Sequence, residues 1–263
     1  MESSEDTKNV RRRKLVVVND CAHVMEDIIP LLSDSFQISF LRRTRGLWDK
    51  TFGILYKILR QNGELFHVNY ALQDAYLVDK LKRHLDVLHV HGSDIRWSYL
   101  SRKYHWMIKS NVLSAKRVLY ATPDLEERTK ELRPDAIYLP NPIKTDVFTP
   151  KTNYNDRPRA VHFKLSYEEL PKGLEEILSN HGVALTVLER NVPYAAMPRT
   201  LGTYDIFIDQ TSIKAFSKTC LEAMSCALAT IDHRHRDDFE SRVKELADAS
   251  NVRRIGQEGR NYV

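Results

Sequence analysis

Short apolar segments of strand length alternate with amphipathic segments of helix length along almost the whole sequence. In the first half, strands are predicted at 15–18, 37–41, 65–68, 86–91, 118–120 and 136–139. Helices are predicted between them, at 24–32, 47–60, 74–84, after Arg96 and at 124–132. Strands that alternate with helices form parallel sheets covered by helices on both faces. The alternation therefore restricts the chain to an α/β fold.

The same alternation resumes after a polar interruption, which predicts a second domain. Pro140-Asn141-Pro142 and the polar run 151–159 are typical of a linker, because prolines restrict the turns at its start. Strands then follow at 160–164, 184–189, 204–209 and 229–231, and helices after Gly173, from Ser217 and at 239–249. A length of 263 residues allows one large core or two modest ones. We expect a disordered basic tail at 1–13 and domains at 14–145 and 146–263; the alternative is a surface loop inside one domain.

The stretch 204–231 is the strongest candidate for a binding site in the second half. An apolar strand ending at Asp209 is followed by a loop, by Ser217 at an N-cap position and by a helix. Unpaired amides at a helix start can hold a phosphate, here at Phe216, Ser217, Lys218 and Thr219. Glu222 lies one turn further on, where a carboxylate could accept hydrogen bonds from ribose hydroxyls. The alternative is an ordinary strand–loop–helix unit with a solvated glutamate.

The strand end at 86–96 is the candidate site of the first half. Ligands of parallel sheets bind beyond the carboxyl ends of the strands. Five residues with polar chemistry or backbone freedom occupy that position, namely His91, Gly92, Ser93, Asp94 and Arg96. A lone histidine is more often structural, but His91 together with Asp94 and Arg96 favours a site.

Several short motifs in both halves resemble those of one enzyme family. They are Glu222-Ala223-Met224 followed by Ala229-Thr230-Ile231, the run from His89 to Arg96 (HVHGSDIR), Thr122-Pro123-Asp124-Leu125, and Leu139-Pro140-Asn141-Pro142 followed by Thr145, Phe148 and Pro150. Together with the ending Gly256 to Val263 they are similar to the retaining glycosyltransferases of family 4, in a short-chain branch. The family normally continues into a further helix that crosses back to the first domain.

The resemblance implies a GT-B fold, with two Rossmann-like domains facing across a cleft, and transfer of a sugar from a nucleotide diphosphate sugar with retention. It assigns Lys164 and Lys172 to the diphosphate, the loop of Val192 and Tyr194 to the base, and His91 to the donor sugar or the acceptor. Lys164 stands where the family usually has arginine, and keeps the charge without the bidentate fork. Neither a metal nor an organic cofactor is implied.

Lys214 departs from the family pattern. The family has a glutamate eight residues before the one matched by Glu222, and that position is Lys214 here. The family glutamate grips hydroxyls of the donor sugar, and a lysine cannot accept such bonds. Lys214 would instead contact an acidic sugar, or it marks a weakened enzyme. The alternative function is therefore a nucleotide-sugar-binding protein or partner subunit without turnover.

Basic charge is concentrated in the first half of the chain. Residues 1–145 contain 24 lysines and arginines against 18 acidic residues, whereas 146–263 contain 16 against 17. Two stretches, 41–60 and 96–117, combine basic with aromatic residues, and the helix within 41–60 is amphipathic. These stretches suit an anionic membrane surface; the alternative is that the apolar side of the helix packs on the sheet. The acceptor is then expected to be a glycan, a lipid-linked sugar or a protein.

Other function classes find less support in the sequence. No glycine-rich dinucleotide fingerprint, P-loop, G-x-S-x-G elbow or zinc framework occurs. The run 233–238 holds two histidines and two aspartates, but neighbouring side chains at a strand end point opposite ways and rarely bind one metal ion. No nucleic-acid-binding motif is present, so nucleic acid is not an expected partner. Three cysteines, and no bilayer-spanning or secretory segment, predict a cytoplasmic protein, peripheral at the inner face of a membrane.

Overall fold

The structure is a computed structural model that describes residues 11–43, 46, 48, 52–165 and 168–263. The chain divides between Pro140 and Asn141 into two compact units. The predicted domain boundary lay five residues later, between Thr145 and Asp146. Residues 1–10 of the predicted tail lie outside the described residues, whereas Arg13 is the first residue of a strand.

The first unit contains a six-stranded sheet in which every described pair of strands is parallel. Its strands are β1 (Arg13–Val18), β2 (Phe36–Leu41), β3 (Leu65–Asn69), β4 (Val87–Val90), β5 (Arg117–Tyr120) and β6 (Ile137–Tyr138), in the order β2-β1-β3-β4-β5-β6. Its helices are α1 (Val24–Leu32), α2 (Ile54–Leu59), α3 (Gln73–Lys82), α4 (His105–Ser114) and α5 (Glu126–Leu132). A π-helical turn, Asp94–Ser98, follows β4.

The two faces of this sheet are covered by different helices. One face presents Val16, Phe66 and Leu88, which share an apolar cluster with side chains of α2, α3 and α4. The other face presents Leu15 and Val17, which pack with α1. Alternation of side chains along each strand produces these two sets from one continuous apolar run such as that of β1.

The second unit contains a four-stranded sheet, which is also parallel throughout its described pairs. Its strands are β7 (Arg159–Phe163), β8 (Ala184–Leu188), β9 (Ile206–Ile208) and β10 (Ala229–Ile231), in the order β10-β9-β7-β8. Its helices are α6 (Leu174–Asn180), α7 (Met197–Leu201), α8 (Lys218–Ser225), α9 (Phe239–Leu246) and α10 (Ala249–Tyr262). Its core forms two apolar clusters, one under α7 and α8 and one under α6, α9 and α10.

The predicted α/β class with parallel sheets is confirmed in both units. The predicted helix at 47–60 is observed as α2, Ile54–Leu59, while residues 47 and 49–51 lie outside the described part. Two helices were not predicted, α7 and α10. Within the residues that the structure describes, no helix has both the length and the apolar composition needed to cross a bilayer.

Candidate functional site

The start of α8 is built around a buried acid at the end of β9. Asp209 accepts hydrogen bonds from the amide of Ser217 (2.9 Å) and from its hydroxyl (2.6 Å). The oxygen of that hydroxyl accepts in turn from the amide of Cys220 (3.0 Å), so Ser217 is the N-cap, as predicted. Burial raises the pKa of Asp209 to about 6, against the lowering effect of the bonds from Ser217. Part of the helix start therefore already has internal acceptors.

Glu222 lies in a buried cluster with Lys218 and Tyr194. Lys218 Nζ donates to Glu222 Oε1 at 2.7 Å and to the hydroxyl of Tyr194 at 2.7 Å. The Tyr194 hydroxyl donates to the same Glu222 oxygen at 3.0 Å, and Lys218 Nζ lies 4.7 Å from the centre of the Tyr194 ring. The side chains of Lys218 and Glu222 are 4% and 3% exposed. The structure thus brings three of the predicted donor-site residues together, with the carboxylate held by the chain itself.

The other predicted donor residues are buried to different degrees. Val192, Tyr194 and Phe216 pack against one apolar cluster under α7 and α8. Phe216 also contacts Arg234, whose guanidinium lies 4.9 Å from its ring centre, and Tyr262, at 5.7 Å between rings. Lys214 is exposed, and Thr219 is half-buried in the first turn of α8.

A cavity of about 700 Å³ lies at the carboxyl ends of β7 and β8. Among the described residues its lining includes His162, Lys164, Glu168 and Glu189. Lys164 forms an exposed ion pair with Glu189 at 3.1 Å. Lys164 is therefore at the edge of the sheet where ligands of parallel sheets bind. Lys172 is exposed directly before Gly173, and α6 follows.

Glu168 fills an anion-binding position in the loop after β9. Its Oε1 accepts from the amides of Thr211 (2.7 Å) and Ser212 (3.0 Å) and from the Thr211 hydroxyl (3.1 Å). Its Oε2 accepts from the Ser212 hydroxyl at 2.7 Å. Four donors that converge on one carboxylate would also suit a phosphate or an acidic sugar.

In the first unit, the contacts of Asn69 determine which ring nitrogen of His91 carries the proton. The amide group of Asn69 donates to the carbonyl of Asn19 (3.1 Å), so its oxygen is the acceptor that faces His91 Nε2 at 2.9 Å. His91 therefore carries its proton on Nε2 and a lone pair on Nδ1. Burial lowers the pKa of His91 to about 3, with a smaller effect from His67. His91 is a neutral group that can accept a hydrogen bond.

His91 continues a row of three histidines across β3 and β4. The ring centres of His89 and His91 are 4.1 Å apart, and those of His67 and His89 are 5.7 Å apart. Both ring nitrogens of His89 and Nε2 of His67 are buried without a hydrogen-bond partner among the described residues. Burial lowers the pKa of His67 to about 4. Burial also lowers the pKa of His89, and the neighbouring rings of His91 and His67 contribute a smaller part.

The other predicted residues of the first unit bond mainly within the fold. Asp94 is fully buried and accepts from the amides of Ala71, Gly92 and Ile95. Arg96 donates to both carboxylate oxygens of Asp124, at 2.6 and 2.8 Å, and to Thr122.

Gly92 and Ser93 complete this internal network. A Cβ atom on Gly92, whose φ is +139°, would overlap the Arg96 guanidinium, and Ser93 shares a hydrogen bond with the Tyr70 hydroxyl. Asp94 and Arg96 therefore hold the strand end in place, whereas His91 Nδ1 and the Ser93 hydroxyl can each take part in a further hydrogen bond.

The structure shows several polar contacts that sequence patterns hardly indicate. Three residues form hydrogen bonds with partners elsewhere in the sequence, namely Asp209, Glu168 and Asn69. No local sequence pattern predicts these hydrogen bonds. The sequence did indicate the pair of Lys218 and Glu222, since oppositely charged residues four apart on a helix are neighbours. The run 233–238 was not expected to bind metal; there, Arg234 donates to both carboxylate oxygens of Asp232.

Asp20, His23 and Glu26 are the one group of three potential metal ligands that lie close together in the described ranges. Asp20 accepts hydrogen bonds from the amides of Met25 and Glu26 in the first turn of α1, and Arg42 pairs with Glu26. The carboxylates of the group thus already have donors.

Comparisons with known proteins give a fold but no family. No protein-family model matches the sequence, and no curated protein matches it either. Two crystal structures of TarM are similar with TM-scores of 0.54 and 0.53 at 8% and 9% identity, over 79% and 89% of this chain. This chain covers 53% and 54% of them, so it spans about half of their length. The second is an S. aureus TarM mutant in complex with fondaparinux, alpha-GlcNAc-glycerol and UDP.

Two other solved structures match over most of their length. The catalytic domain of Arabidopsis thaliana starch synthase IV, bound to ADP and acarbose, has a TM-score of 0.55 at 9% identity, over 95% of this chain and 92% of that one. The N-terminal domain of Candida albicans trehalose-6-phosphate phosphatase has a TM-score of 0.54 at 9% identity, over 94% and 96%. The chain has the GT-B fold. At such identities the likeness shows the fold alone.

Proposed function

We propose that this protein is a retaining glycosyltransferase that moves a sugar from a nucleoside diphosphate sugar to an acceptor without a metal ion. The observation that carries the proposal is the cluster of Glu222, Lys218 and Tyr194 at the start of α8. A carboxylate suits ribose hydroxyls, an ammonium suits a diphosphate and an aromatic ring suits a base. The complexes of TarM with UDP and of starch synthase IV with ADP support it, since both share the fold.

The donor would bind the second unit by an exchange of hydrogen-bond partners. Glu222 Oε1 accepts from both Lys218 and Tyr194 in the structure. Ribose hydroxyls can donate to the carboxylate instead, which releases the ammonium of Lys218 toward the diphosphate. An exchange of this kind leaves no buried charge unpaired, and an unpaired buried charge is the state that costs most.

Lysines would stabilise the negative charge that develops on the leaving nucleoside diphosphate. Lys218 lies beside Glu222, Lys164 lies at the carboxyl end of β7, and Lys172 precedes α6. The pair of Lys164 with Glu189 is exposed and therefore weak, so Lys164 can change partner at little cost. Ammonium groups held near the leaving oxygen can replace a metal ion in this role.

His91 would position a sugar by accepting a hydrogen bond. Its Nε2–H is directed to Asn69, and its low pKa keeps it neutral. A histidine with a pKa of about 3 is a poor base at neutral pH. The acceptor proton would instead pass to the departing phosphate. The acceptor would be a glycan, a lipid-linked sugar or a protein, and it would bind to the first unit. The enzyme would be cytoplasmic.

The second candidate is a protein that binds a nucleotide sugar without turnover. Two observations favour it: Glu168 already fills the donors of Thr211 and Ser212, and Lys214 is a cation where a hydroxyl acceptor is expected. Such a protein would bind the nucleotide with Glu222 and release no product.

Calorimetry with UDP, GDP and ADP, followed by a nucleotide-sugar panel assayed for release of the nucleotide, separates the candidates. We expect one nucleotide to bind with micromolar affinity, Glu222→Gln to weaken it at least tenfold, and Glu240→Gln, in the first turn of α9 in the same unit, to leave it unchanged. Turnover supports the enzyme, and binding without turnover supports the second candidate. Unchanged affinity in Glu222→Gln, with the variant folded by circular dichroism, would remove Glu222 from the site.

A further inference from the structure

Helix α2 has an apolar side toward the core and a second apolar side toward solvent. Ile54 and Ile58 are fully buried against the sheet. Trp48 and Phe52, ahead of α2 and 5.3 Å apart between rings, are 71% and 60% exposed. With Tyr56 and Leu59, which are more than half exposed, they recur at intervals of four, four and three residues. Spacings of three and four residues are typical of one side of a helix. These four exposed side chains form an outer apolar stripe that takes no part in the core packing of α2.

The outer stripe is surrounded by basic side chains. The Arg60 guanidinium lies 4.5 Å from the centre of the Tyr56 ring, and Lys57 donates to the carbonyl of Arg42. Lys82 of α3 donates to the carbonyls of Leu59 and Gln61 at the end of α2. The stretch 41–60 contains six lysines and arginines and one acidic residue.

The stripe continues across the neighbouring helices on the same face of the sheet. Helix α2 packs on α3, α3 packs on α4, and all three contribute to one core cluster. Trp106 of α4, 54% exposed, meets Tyr76 of α3 edge to face at 5.5 Å, and Lys80 lies over the Tyr76 ring. Exposed Arg102, Lys103 and Lys109 lie just before and within α4. We call the outer side of α2, α3 and α4, with Trp48 and Phe52, the aromatic face.

Helix α1, on the opposite side of the sheet, differs from α2, α3 and α4 in its charge and its exposed residues. Helix α1, which covers it, contains Glu26 and Asp27 and no lysine or arginine. Leu31 is exposed there without aromatic neighbours on its helix. Basic residues and largely exposed aromatic rings thus occur together on the helices α2 and α4 and not on α1.

We propose that the aromatic face binds the surface of an anionic lipid bilayer. Tryptophan and tyrosine rings are favoured at the level of lipid headgroups, because they combine an apolar body with a polar group. Lysine and arginine around them attract anionic headgroups, and neighbouring exposed apolar side chains rimmed by polar residues are typical of an interaction surface. The basic charge is complementary to anionic headgroups, and the amphipathic rings suit the boundary between headgroups and acyl chains. Binding of the aromatic face to a bilayer does not depend on the proposed sugar transfer, since it involves none of the donor-site residues and no nucleotide.

The test is co-sedimentation with vesicles of phosphatidylcholine alone and with about 30% phosphatidylglycerol added, without nucleotide. All three tryptophans of the chain, Trp48, Trp97 and Trp106, belong to the first unit, so a blue shift of their emission reports insertion of this unit. We expect binding and a blue shift only with anionic vesicles. Lys57→Glu/Arg60→Glu should weaken binding at least about twentyfold, and Phe52→Ser/Leu59→Ser should abolish the blue shift.

Two control variants separate this face from general charge and general hydrophobicity. Arg199→Glu/Lys244→Glu removes basic residues of the second unit, and Leu31→Ser removes the exposed leucine of α1; both should bind like wild type. Circular dichroism checks that each variant is folded. Absence of vesicle binding, equal losses in the controls, or binding of a random oligonucleotide without binding of vesicles would each overturn the proposal.

Discussion

Glu222 and Lys218 form a buried pair that bears on both the stability of the second unit and its proposed function. Both side chains are almost completely buried, and the Tyr194 hydroxyl donates a further hydrogen bond to Glu222 Oε1. Removing two charges from water costs several kcal/mol per ion, which the mutual attraction must offset. The pair is therefore sensitive to the loss of one member, and a ligand that replaces Lys218 must supply equivalent donors.

Lys218→Met should lower the free energy of unfolding by about 3–5 kcal/mol, because it leaves a carboxylate buried without its cation. The double variant Lys218→Met/Glu222→Leu should recover most of that loss, since no charge of the pair remains buried. Urea denaturation followed by circular dichroism measures both. Lys130→Met is the control: its pair with Glu126 is also four residues apart but exposed, and should cost less than about 1 kcal/mol. A double variant as unstable as the single one would contradict this account.

The histidine row is the corresponding feature of the first unit. The pKa values of His67, His89 and His91 are lowered by burial, and the ring nitrogens of His89 have no partner among the described residues. In the unfolded chain these groups titrate near a pKa of about 6.5. Below that pH the unfolded state binds more protons than the folded state, so the stability of this unit falls with falling pH.

His89→Leu should make the first unit less sensitive to acid. Wild type should lose stability as the pH falls from about 6.5 toward 4, and the variant should lose less, because an apolar side chain has no proton to bind and no unsatisfied nitrogen. Thermal unfolding between neutral and mildly acidic pH, followed by tryptophan emission, reports this unit alone. His105→Leu, at an exposed position of the same unit, is the control. Parallel pH profiles for wild type and His89→Leu would refute the prediction.

At the scale of elements, the two glycines near the end of α10 have different surroundings. A Cβ atom on Gly256 would overlap the carbonyl oxygen of Ala227, which itself adopts a positive φ of 59°. A Cβ atom on Gly259 would come within 3.3 Å of the Met224 side chain, which can adjust. Arg260 then donates to the carbonyls of Phe148 and Ser225. The glycine-rich ending thus lets α10 pack closely on the turn between α8 and β10.

Gly256→Ala and Gly259→Ala should therefore have different effects on the free energy of unfolding. Alanine favours a helix over glycine by about 1 kcal/mol, so Gly259→Ala should be neutral or slightly stabilising. Gly256→Ala should lower the free energy of unfolding by more than about 2 kcal/mol, because a backbone oxygen cannot move aside without breaking the turn. Chemical denaturation of both variants gives the comparison, and equal stabilities would show that α10 does not pack as described.

At the scale of the whole molecule, donor and acceptor chemistry are proposed for two separate units. The cluster at α8 and the cavity beside Lys164 both belong to residues 141–263, whereas the histidine row and the aromatic face belong to residues 1–140. Each unit has its own parallel sheet and its own core. A nucleotide should accordingly be recognised by the second unit alone.

Hydrogen exchange with and without the nucleotide that binds most tightly tests this division. Ligand contacts slow the local opening reactions that permit exchange. We expect slower exchange at 188–196 and 209–225, which contain Tyr194, Lys218 and Glu222, and unchanged exchange in β1 to β4. Glu222→Gln at the same nucleotide concentration should show less protection. Protection confined to the first unit would place the nucleotide elsewhere and refute the proposed site.

Local sequence patterns were sufficient to predict the alternating α/β fold and many element positions. Helix α1 and strand β10 begin and end at the predicted residues, and Ser217 caps α8 as predicted. These features depend on runs of apolar residues and on a hydroxyl ahead of a helix, which a single segment carries whole. Helix α10 was missed, because two glycines weaken its local helical preference. In the fold, Val252 and Ile255 of this helix are buried in the core, and Gly256 lies against Ala227.

Which candidate side chains have partners inside the fold became known only from the three-dimensional arrangement. Tyr194 is 28 residues from Glu222, Glu168 is 43 residues from Thr211, and Arg96 is 28 residues from Asp124. Contacts over such separations arise when parallel strands bring their carboxyl ends to one edge, and no local pattern encodes them. The outer stripe of α2 follows the same rule, since its sequence fits both a core helix and a surface helix. Burial of Ile54 and Ile58 alone showed which side remained for solvent.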